Sequence, residues 1–247
     1  MNVKVNSTSD YKVTIIVPIY NEEENVYILK EELLQFLQHS MFPACVLFVN
    51  DGSKDSSLQK IKEICISNTH FFYISFKNNK GLSAALKAGI DSCFSEYVGY
   101  MDADLQTDPE DFNLLFKDIG EYEMVTGIRV NRNDSYFKKF QSKIANSYRR
   151  MMTQDGVSDT GCPLKVMQTD SAKRIPLFNG MHRFLPALIM LQNGRVKQIP
   201  VSHYPRMAGT SKYHLWNRFY GPFIDCFAYR WMKKRYINYN VDEHNLN

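Results

Sequence analysis

Tyr97-Val98-Gly99-Tyr100-Met101-Asp102-Ala103-Asp104-Leu105-Gln106-Thr107-Asp108 is the stretch whose reading decides the fold. A short apolar run ends in two carboxylates one residue apart. Alternate side chains of an extended chain point to the same side. Asp102 and Asp104 are therefore expected to face one site at the end of a buried strand, with Gln106 joining them if the extended geometry persists. Oxygen-bearing side chains at i, i+2 and i+4 form a hard-cation site suited to Mg2+ or Mn2+, with positions left for phosphate oxygens. The ends of parallel strands are where open α/β sheets bind ligands. The competing reading is a turn with helix-capping aspartates. Asp108-Pro109-Glu110 has the form of a cap with Pro at the first helical position. That accounts for Asp108 but not for Asp102 and Asp104, which follow apolar residues.

Upstream, Val13-Thr14-Ile15-Ile16-Val17-Pro18 is a β-rich apolar run closed by Pro, read as a buried first strand. Ile19 to Glu22 is a loop. Glu22 to His39 has helical spacing through Val26, Leu29, Leu33, Leu34 and Leu37, with acids in its first turns where the helix dipole favours them. Cys45 to Asn50 is a second strand running into the turn Asp51-Gly52-Ser53, and Asp55 is read as the cap of the next helix. Phe71 to Phe76 is a third strand. Asn78-Asn79-Lys80-Gly81 turns into a helix from Leu82 to Phe94, the fourth strand ends at the carboxylate pair, and Met124 to Gly127 closes a fifth. This alternation of strands and helices predicts a parallel sheet covered on both faces. No G-x-G-x-x-G follows the first strand, so a dinucleotide fingerprint is absent. Polar residues stand instead after strands one, two and four: Tyr20 and Glu22, Asp51, and Asp102 with Asp104. All should lie on one edge of the sheet.

The character of the chain changes at Arg129. Residues 1–126 hold 10 Lys, no Arg and 19 acids, a net −9, whereas 127–247 hold 20 basic residues and 7 acids, a net +13. The second half is thus expected to meet an anionic partner: nucleic acid, an anionic membrane surface or a phosphorylated substrate. The aromatics near it form no RNA-recognition signature, so nucleic acid is set aside. Ser135 to Met152 reads as a basic helix, Asp159 to Val166 as a loop entering a strand, Met181 to about Gln192 as a helix and Val196 to Val201 as a strand. His203-Tyr204-Pro205-Arg206 and Gly209-Thr210-Ser211-Lys212-Tyr213 form a basic loop suited to clamping phosphate. From Leu215 to Tyr239 aromatics alternate with Lys and Arg, and Asp225 is the one acid. That pattern suits a helix in a membrane interface, or one packed on the domain or a dimer partner.

The five cysteines are scattered, odd in number and without a C-x-x-C pair, which argues against a disulfide framework or zinc site and suits a reducing cytosol. No run of 18 apolar residues occurs.

In combination, Val17-Pro18-Ile19-Tyr20-Asn21-Glu22, Asn50-Asp51-Gly52-Ser53, Lys80-Gly81, Asp102-Ala103-Asp104-Leu105-Gln106 and Arg206 with Ser211-Lys212-Tyr213 resemble the family-2 inverting glycosyltransferases. Within them the chain looks like the dolichol-phosphate mannose synthase-like, polyprenyl-phosphate branch. The resemblance runs from Val13 to about Tyr213. It implies an α/β, Rossmann-like GT-A (nucleotide-diphospho-sugar transferase) fold with a mostly parallel central sheet. A GT-A domain would span 1–213, its nucleotide-binding half about 10–128 and its acceptor half about 129–213, followed by an aromatic and basic tail at 214–247.

By the same resemblance, Pro18, Tyr20, Glu22, Asp51, Lys80 and Asp102 would meet the nucleotide. Asp102, Asp104 and Gln106 would hold Mg2+ or Mn2+ at the donor diphosphate. Arg129, Arg132, Ser135, Arg206, Ser211 and Lys212 would serve the donor diphosphate and an acceptor phosphate. Asn50 departs from the commoner Asp, and the tail lacks the transmembrane helices that relatives often carry. The implied reaction is metal-dependent transfer of a sugar from a UDP- or GDP-sugar to a polyprenyl phosphate, by a protein peripheral at the cytoplasmic membrane face. A phosphate acceptor is already anionic and needs no general base. A sugar-hydroxyl acceptor, as in surface-polysaccharide synthesis, needs a carboxylate base, for which Asp159 is the candidate; an Asx turn is its alternative reading. A nucleotide-sugar-binding protein without catalysis is the reading from another class, and the intact Asp102, Asp104 and Gln106 set speaks against it. His182 with Arg183 is expected near an acceptor, and His203 is read as structural. A homo-oligomer is compatible with all of these.

Overall fold

The computed structural model describes residues 7–130, 146–205, 215–239 and 242–243. In chain order the elements are β1 (Val13–Ile19), α1 (Val26–His39), β2 (Ala44–Asn50), α2 (Ser57–Ser67), β3 (Phe71–Ser75), α3 (Leu82–Asp91), β4 (Tyr97–Tyr100), α4 (Phe112–Phe116) and β5 (Met124–Arg129). Then come a helix, α5, over 146–153, and β6 (Lys165–Gln168), α6 (Thr169–Lys173), α7 (Leu185–Leu191), β7 (Val196–Val201) and α8 (Leu215–Arg235).

The strands form one seven-stranded sheet in the order β3-β2-β1-β4-β6-β5-β7. β1 to β4 pair in parallel, as do β5 and β7. β6 runs antiparallel to both its neighbours, β4 and β5. The fully parallel expectation is corrected at this strand, and the mostly parallel α/β sheet stands. The reversal matters for the site. The carboxyl ends of β1, β2, β4, β5 and β7 reach one edge, and β6 begins there, with Lys165 opposite both Tyr100 and Thr126.

Helices cover both faces. On one, Val26, Leu29, Leu33 and Phe36 of α1 recur at helical spacing and are fully buried. Phe36 packs 5.7 Å from Phe112 and 6.3 Å from Phe116, centroid to centroid. Truncating such a buried ring costs about 3–5 kcal/mol. Gly99 makes this packing feasible, since a Cβ there would lie 2.5 Å from Ile15 Cδ1 and 3.1 Å from Phe112. The other face is covered by α3, α6, α7 and α8, around Leu86, Ile90, Leu185, Leu188 and Tyr229.

Several boundaries differ from the sequence expectation. α1 begins at Val26, and Glu22, Glu23 and Glu24 precede it, so no acid lies in its first turn. Their backbone is occupied instead: Glu22 N–H donates to Ser57 Oγ at 2.9 Å and Glu23 N–H to Asp55 Oδ2 at 3.2 Å. Asp55 also accepts from Ser57 N–H at 3.0 Å, but the cap position of α2 falls to Ser56, so Asp55 stands one residue before the place expected of it. α3 stops at Asp91 rather than Phe94, its last turn closed by the Ser92 N–H. Asp108 caps the turn Pro109–Asp111 through the Glu110 N–H at 2.9 Å.

The tail helix α8 docks on the domain through one face. Cys226, Tyr229 and Met232 are buried, and Tyr229 OH donates to the Ala187 carbonyl at 3.2 Å. Phe223, Phe227 and Trp231, four residues apart, are 47%, 53% and 62% exposed on the opposite face. The packing expectation holds for the first of these faces, and the second leaves aromatic rings exposed. Among the described residues no helix is long and apolar enough to cross a membrane.

Candidate functional site

The first wall of the site comes from the loops after β1 and β2. Ile19 pairs with Asn50, so Pro18, Tyr20 and Glu22 emerge beside Asp51. Asp51 is buried, and its carboxylate accepts from Lys80 N–H at 2.6 Å, Gly81 N–H at 2.8 Å and Asn79 Nδ2 at 2.8 Å. It thus fastens the 78–81 loop to the end of β2 and places Lys80 at the same edge. Gly52, at φ +67°, lies under that loop; a Cβ there would come 2.5 Å from the Asn78 carbonyl carbon. Asn50 uses both ends of its amide, donating to Ser75 Oγ at 2.9 Å and accepting from Ser53 N–H at 3.3 Å. An Asp has no N–H to offer Ser75, which is what the departure at this position provides.

The second wall is the Asp102–Gln106 segment. The expected extended geometry does not persist. The strand ends at Tyr100, residues 103–104 turn, and Leu105 adopts φ +57°. The two carboxylates still share one site. Asp102 accepts from Tyr100 OH at 2.6 Å. Burial first, then the charge of Asp104, pushes its carboxyl up to about 6, against the pull of the Tyr100 hydrogen bond, Lys165 and Arg129. Asp104 Oδ1 accepts the Gln106 N–H at 3.3 Å. Gln106 faces the loop after β7. Its Nε2 donates to the Tyr204 carbonyl at 3.4 Å, and its own carbonyl accepts from Tyr204 N–H at 2.9 Å and meets His203 Nδ1 at 3.0 Å. His203 is thereby tied to the Asp102–Gln106 segment.

Arg129 and Asp159 form the third wall. Arg129 Nε and Nη2 reach the two oxygens of Asp159, each at 2.8 Å, and the Arg129 N–H donates to Oδ2 at 3.2 Å. Burial opposes the charge of Asp159, but the hydrogen bonds and charge of Arg129 outweigh it and hold the carboxyl below its usual range. A carboxylate so engaged makes a poor proton acceptor, which speaks against Asp159 as a general base. Gly161 leaves room for the pair, since a Cβ there would lie 2.9 Å from Arg129 Nη2. Arg149, counted in the basic stretch, is also committed: it is buried, pairs with Asp155 at 2.5 Å and donates to the Val157 carbonyl.

Lys165 was not picked out by the sequence reading. It is 1% exposed and belongs to the innermost side chains of the protein. Its Nζ donates to the carbonyls of Thr160 and Cys162. A Lys at the start of an apolar strand was the available signal. His182 sits nearby, its Nδ1 2.8 Å from Ser83 Oγ, which also accepts the Gly180 N–H at 3.1 Å. Burial, then the charges of Arg183 and Lys165, pushes its imidazole down to about 3, so it is neutral at ordinary pH. Arg132, Ser135, Arg206, Ser211 and Lys212 lie outside the described residues.

Asp102 and Asp104 suit a divalent cation, because two adjacent carboxylates, one buried, repel each other until a cation neutralises them. Among the described residues no group of three His, Cys, Asp or Glu is placed to hold a metal. The remaining positions would then fall to ligand oxygens, water or Gln106.

The family model for glycosyl transferase family 2 matches residues 14–175. A dodecaprenyl-phosphate galacturonate synthase from Rhizobium johnstonii is 31% identical over 208 residues, covering 82% of this chain and 62% of that protein. An undecaprenyl-phosphate 4-deoxy-4-formamido-L-arabinose transferase from Pectobacterium carotovorum is 31% identical over 203 residues, covering 81% of this chain and 62% of that protein. The chain thus spans less than two thirds of the length of these relatives. Among solved structures, glucosyl-3-phosphoglycerate synthase from Mycobacterium tuberculosis, in complex with Mn2+, UDP-glucose and phosphoglyceric acid, matches with a TM-score of 0.66 at 10% identity, over 92% of this chain and 80% of that one. That likeness is one of fold. With its sheet, its paired carboxylates and a family match covering most of its length, the chain belongs to glycosyl transferase family 2 and carries the GT-A fold.

Proposed function

We propose that the protein is a metal-dependent inverting glycosyltransferase that moves a sugar from a UDP- or GDP-sugar to a polyprenyl phosphate at the cytoplasmic membrane face. The observation that carries this reading is the meeting of Asp102 and Asp104 with Arg129 at the sheet edge where the loops after β1 and β2 also end.

Pro18, Tyr20, Glu22 and Lys80 would bind the nucleoside from one wall, with Asp51 holding the Lys80 loop in place. Asp102, Asp104 and Gln106 would hold Mg2+ or Mn2+, which, when bound, stabilises negative charge on a diphosphate leaving group. Arg129 adds a fixed positive charge, and Arg132, Ser135, Arg206, Ser211 and Lys212 would supply further phosphate contacts.

The acceptor class is argued from Asp159. A sugar hydroxyl needs a base, and the candidate carboxylate is bound by Arg129. A phosphate acceptor needs none. The names of the relatives, which act on dodecaprenyl and undecaprenyl phosphate, support the same choice. The aromatic outer face of α8, flanked by the exposed Arg230, Lys234 and Arg235, suits the surface of an anionic membrane. The test is nucleoside diphosphate release from a panel of UDP- and GDP-sugars with Mg2+ or Mn2+, with and without undecaprenyl phosphate. Release unaffected by the lipid, or seen only with an oligosaccharide, would count against the phosphate acceptor.

A further inference from the structure

Lys165 is a buried lysine placed where the reversed strand β6 begins. Its backbone pairs with Tyr100, whose hydroxyl binds Asp102, and with Thr126, three residues before Arg129. Its ammonium donates to the carbonyls of Thr160 and Cys162, which bracket Gly161 against the Arg129 guanidinium. Those carbonyls belong to the loop that carries Asp159. Burial lowers the pKa of this ammonium and Arg129 adds to that, while Cys162 and the carboxylates of Asp159 and Asp102 work to keep it protonated.

A buried ammonium is expensive unless it is matched by charges and hydrogen bonds. Two uncharged carbonyls would give a packing Lys little reason to stay over an apolar residue of similar size. The charge balance gives one. Of the side chains coupled to one another around Arg129, Asp102, Asp104 and Asp159 are carboxylates, faced by Arg129 and Lys165; Glu22, Asp51 and Lys80 stand on the other wall. His182 adds no charge, because burial keeps it neutral. With a divalent cation and a protonated Lys165, this coupled set alone is net positive and favours a diphosphate. Without Lys165 it loses that surplus.

We propose that Lys165 is a positioning residue for the donor diphosphate: it holds the 159–162 loop so that Arg129 stays beside Asp102, and it supplies the buried positive charge that lets three carboxylates share a site with an anionic ligand. The proposal rests on the glycosyltransferase reading of this site and adds a residue outside the motifs that suggested it.

The experiment measures binding of UMP, UDP, GMP and GDP to the full chain with Mn2+, for wild type, Lys165→Gln and Lys165→Arg, with thermal unfolding as the folding control. Lys165→Gln retains a hydrogen-bond donor to the carbonyls and removes the charge, while Lys165→Arg retains the charge. The expected result is that Lys165→Gln weakens diphosphate binding at least about tenfold, or about 1.4 kcal/mol, and monophosphate binding much less. Lys165→Arg should keep most of the diphosphate preference. A purely structural Lys would weaken both nucleotide classes alike, and that outcome, or unchanged binding, overturns the proposal. Failure of both variants to fold would make Lys165 a folding residue and overturn it too. If wild type binds neither diphosphate, the glycosyltransferase reading itself falls. If wild type binds and Lys165→Gln binds equally well, only the role of Lys165 falls.

Discussion

Arg129 holds Asp159 through two parallel hydrogen bonds of 2.8 Å and a third from its own backbone N–H. The two side chains are only 15% and 11% exposed. Asp159→Ala would strand a mostly buried guanidinium, and breaking such a pair from one side costs about 3 kcal/mol or more. Chemical denaturation should show that loss, and a change within 0.5 kcal/mol, about the size of an ordinary surface substitution, would mean the pair is unimportant to the fold. The sign with pH follows from the lowered pKa of Asp159. Its contribution is fully present above the unfolded value near 4 and fades as pH falls through the lower folded value.

Asp104→Asn should leave thermal unfolding nearly unchanged and reduce metal-dependent turnover by more than about 100-fold, beyond the usual cost of losing an outer-shell partner. Asp104 is only partly buried, so the fold has little stake in its charge. Full activity in that variant would sink the metal assignment.

His182 predicts an acid-side loss of stability. Its folded pKa is depressed to about 3 from an ordinary 6.5. Between these values the unfolded chain binds the proton and the folded one resists it, so stability falls as pH drops below 6.5 and levels off near 3. The slope from one group is at most about 1.4 kcal/mol per pH unit. His182→Gln should flatten this part of the stability curve. An unchanged curve would show that the imidazole is protonated in the folded protein.

The two faces of α8 should separate under mutation. Tyr229→Ala removes a buried ring and its bond to Ala187 and should cost about 3 kcal/mol. Phe227→Ser with Trp231→Ser changes exposed rings and should leave unfolding within about 1 kcal/mol. The double variant should lose binding to anionic phosphatidylglycerol vesicles in a sedimentation assay. Equal sedimentation of wild type and variant would contradict a membrane role for this face.

Much of this was legible in the sequence because the signals are local. The apolar runs of β1 and β2, the turn at Asp51-Gly52-Ser53 and the cap at Asp108-Pro109 each depend on neighbours within a few residues. Their meeting on one edge followed from parallel topology alone. What the sequence did not reveal depends on distant partners. β6 reverses the sheet, and no pattern within Lys165–Gln168 announces its direction. Asp159 looked available because Arg129 is 30 residues away in the chain. Asp102 and Asp104 were brought together by a turn with Leu105 at positive φ, not by the alternation expected of a strand. Lys165 was passed over because a single Lys opening a short strand usually points to solvent.

The most direct measurement of the central claim is transfer of labelled sugar from UDP- and GDP-sugars into the organic phase, by the full chain with Mn2+ and undecaprenyl phosphate. The account predicts label in a lipid-linked product, dependent on both the metal and the lipid phosphate. Label that remains water-soluble while nucleoside diphosphate is released, with or without the lipid, would contradict a phosphate acceptor.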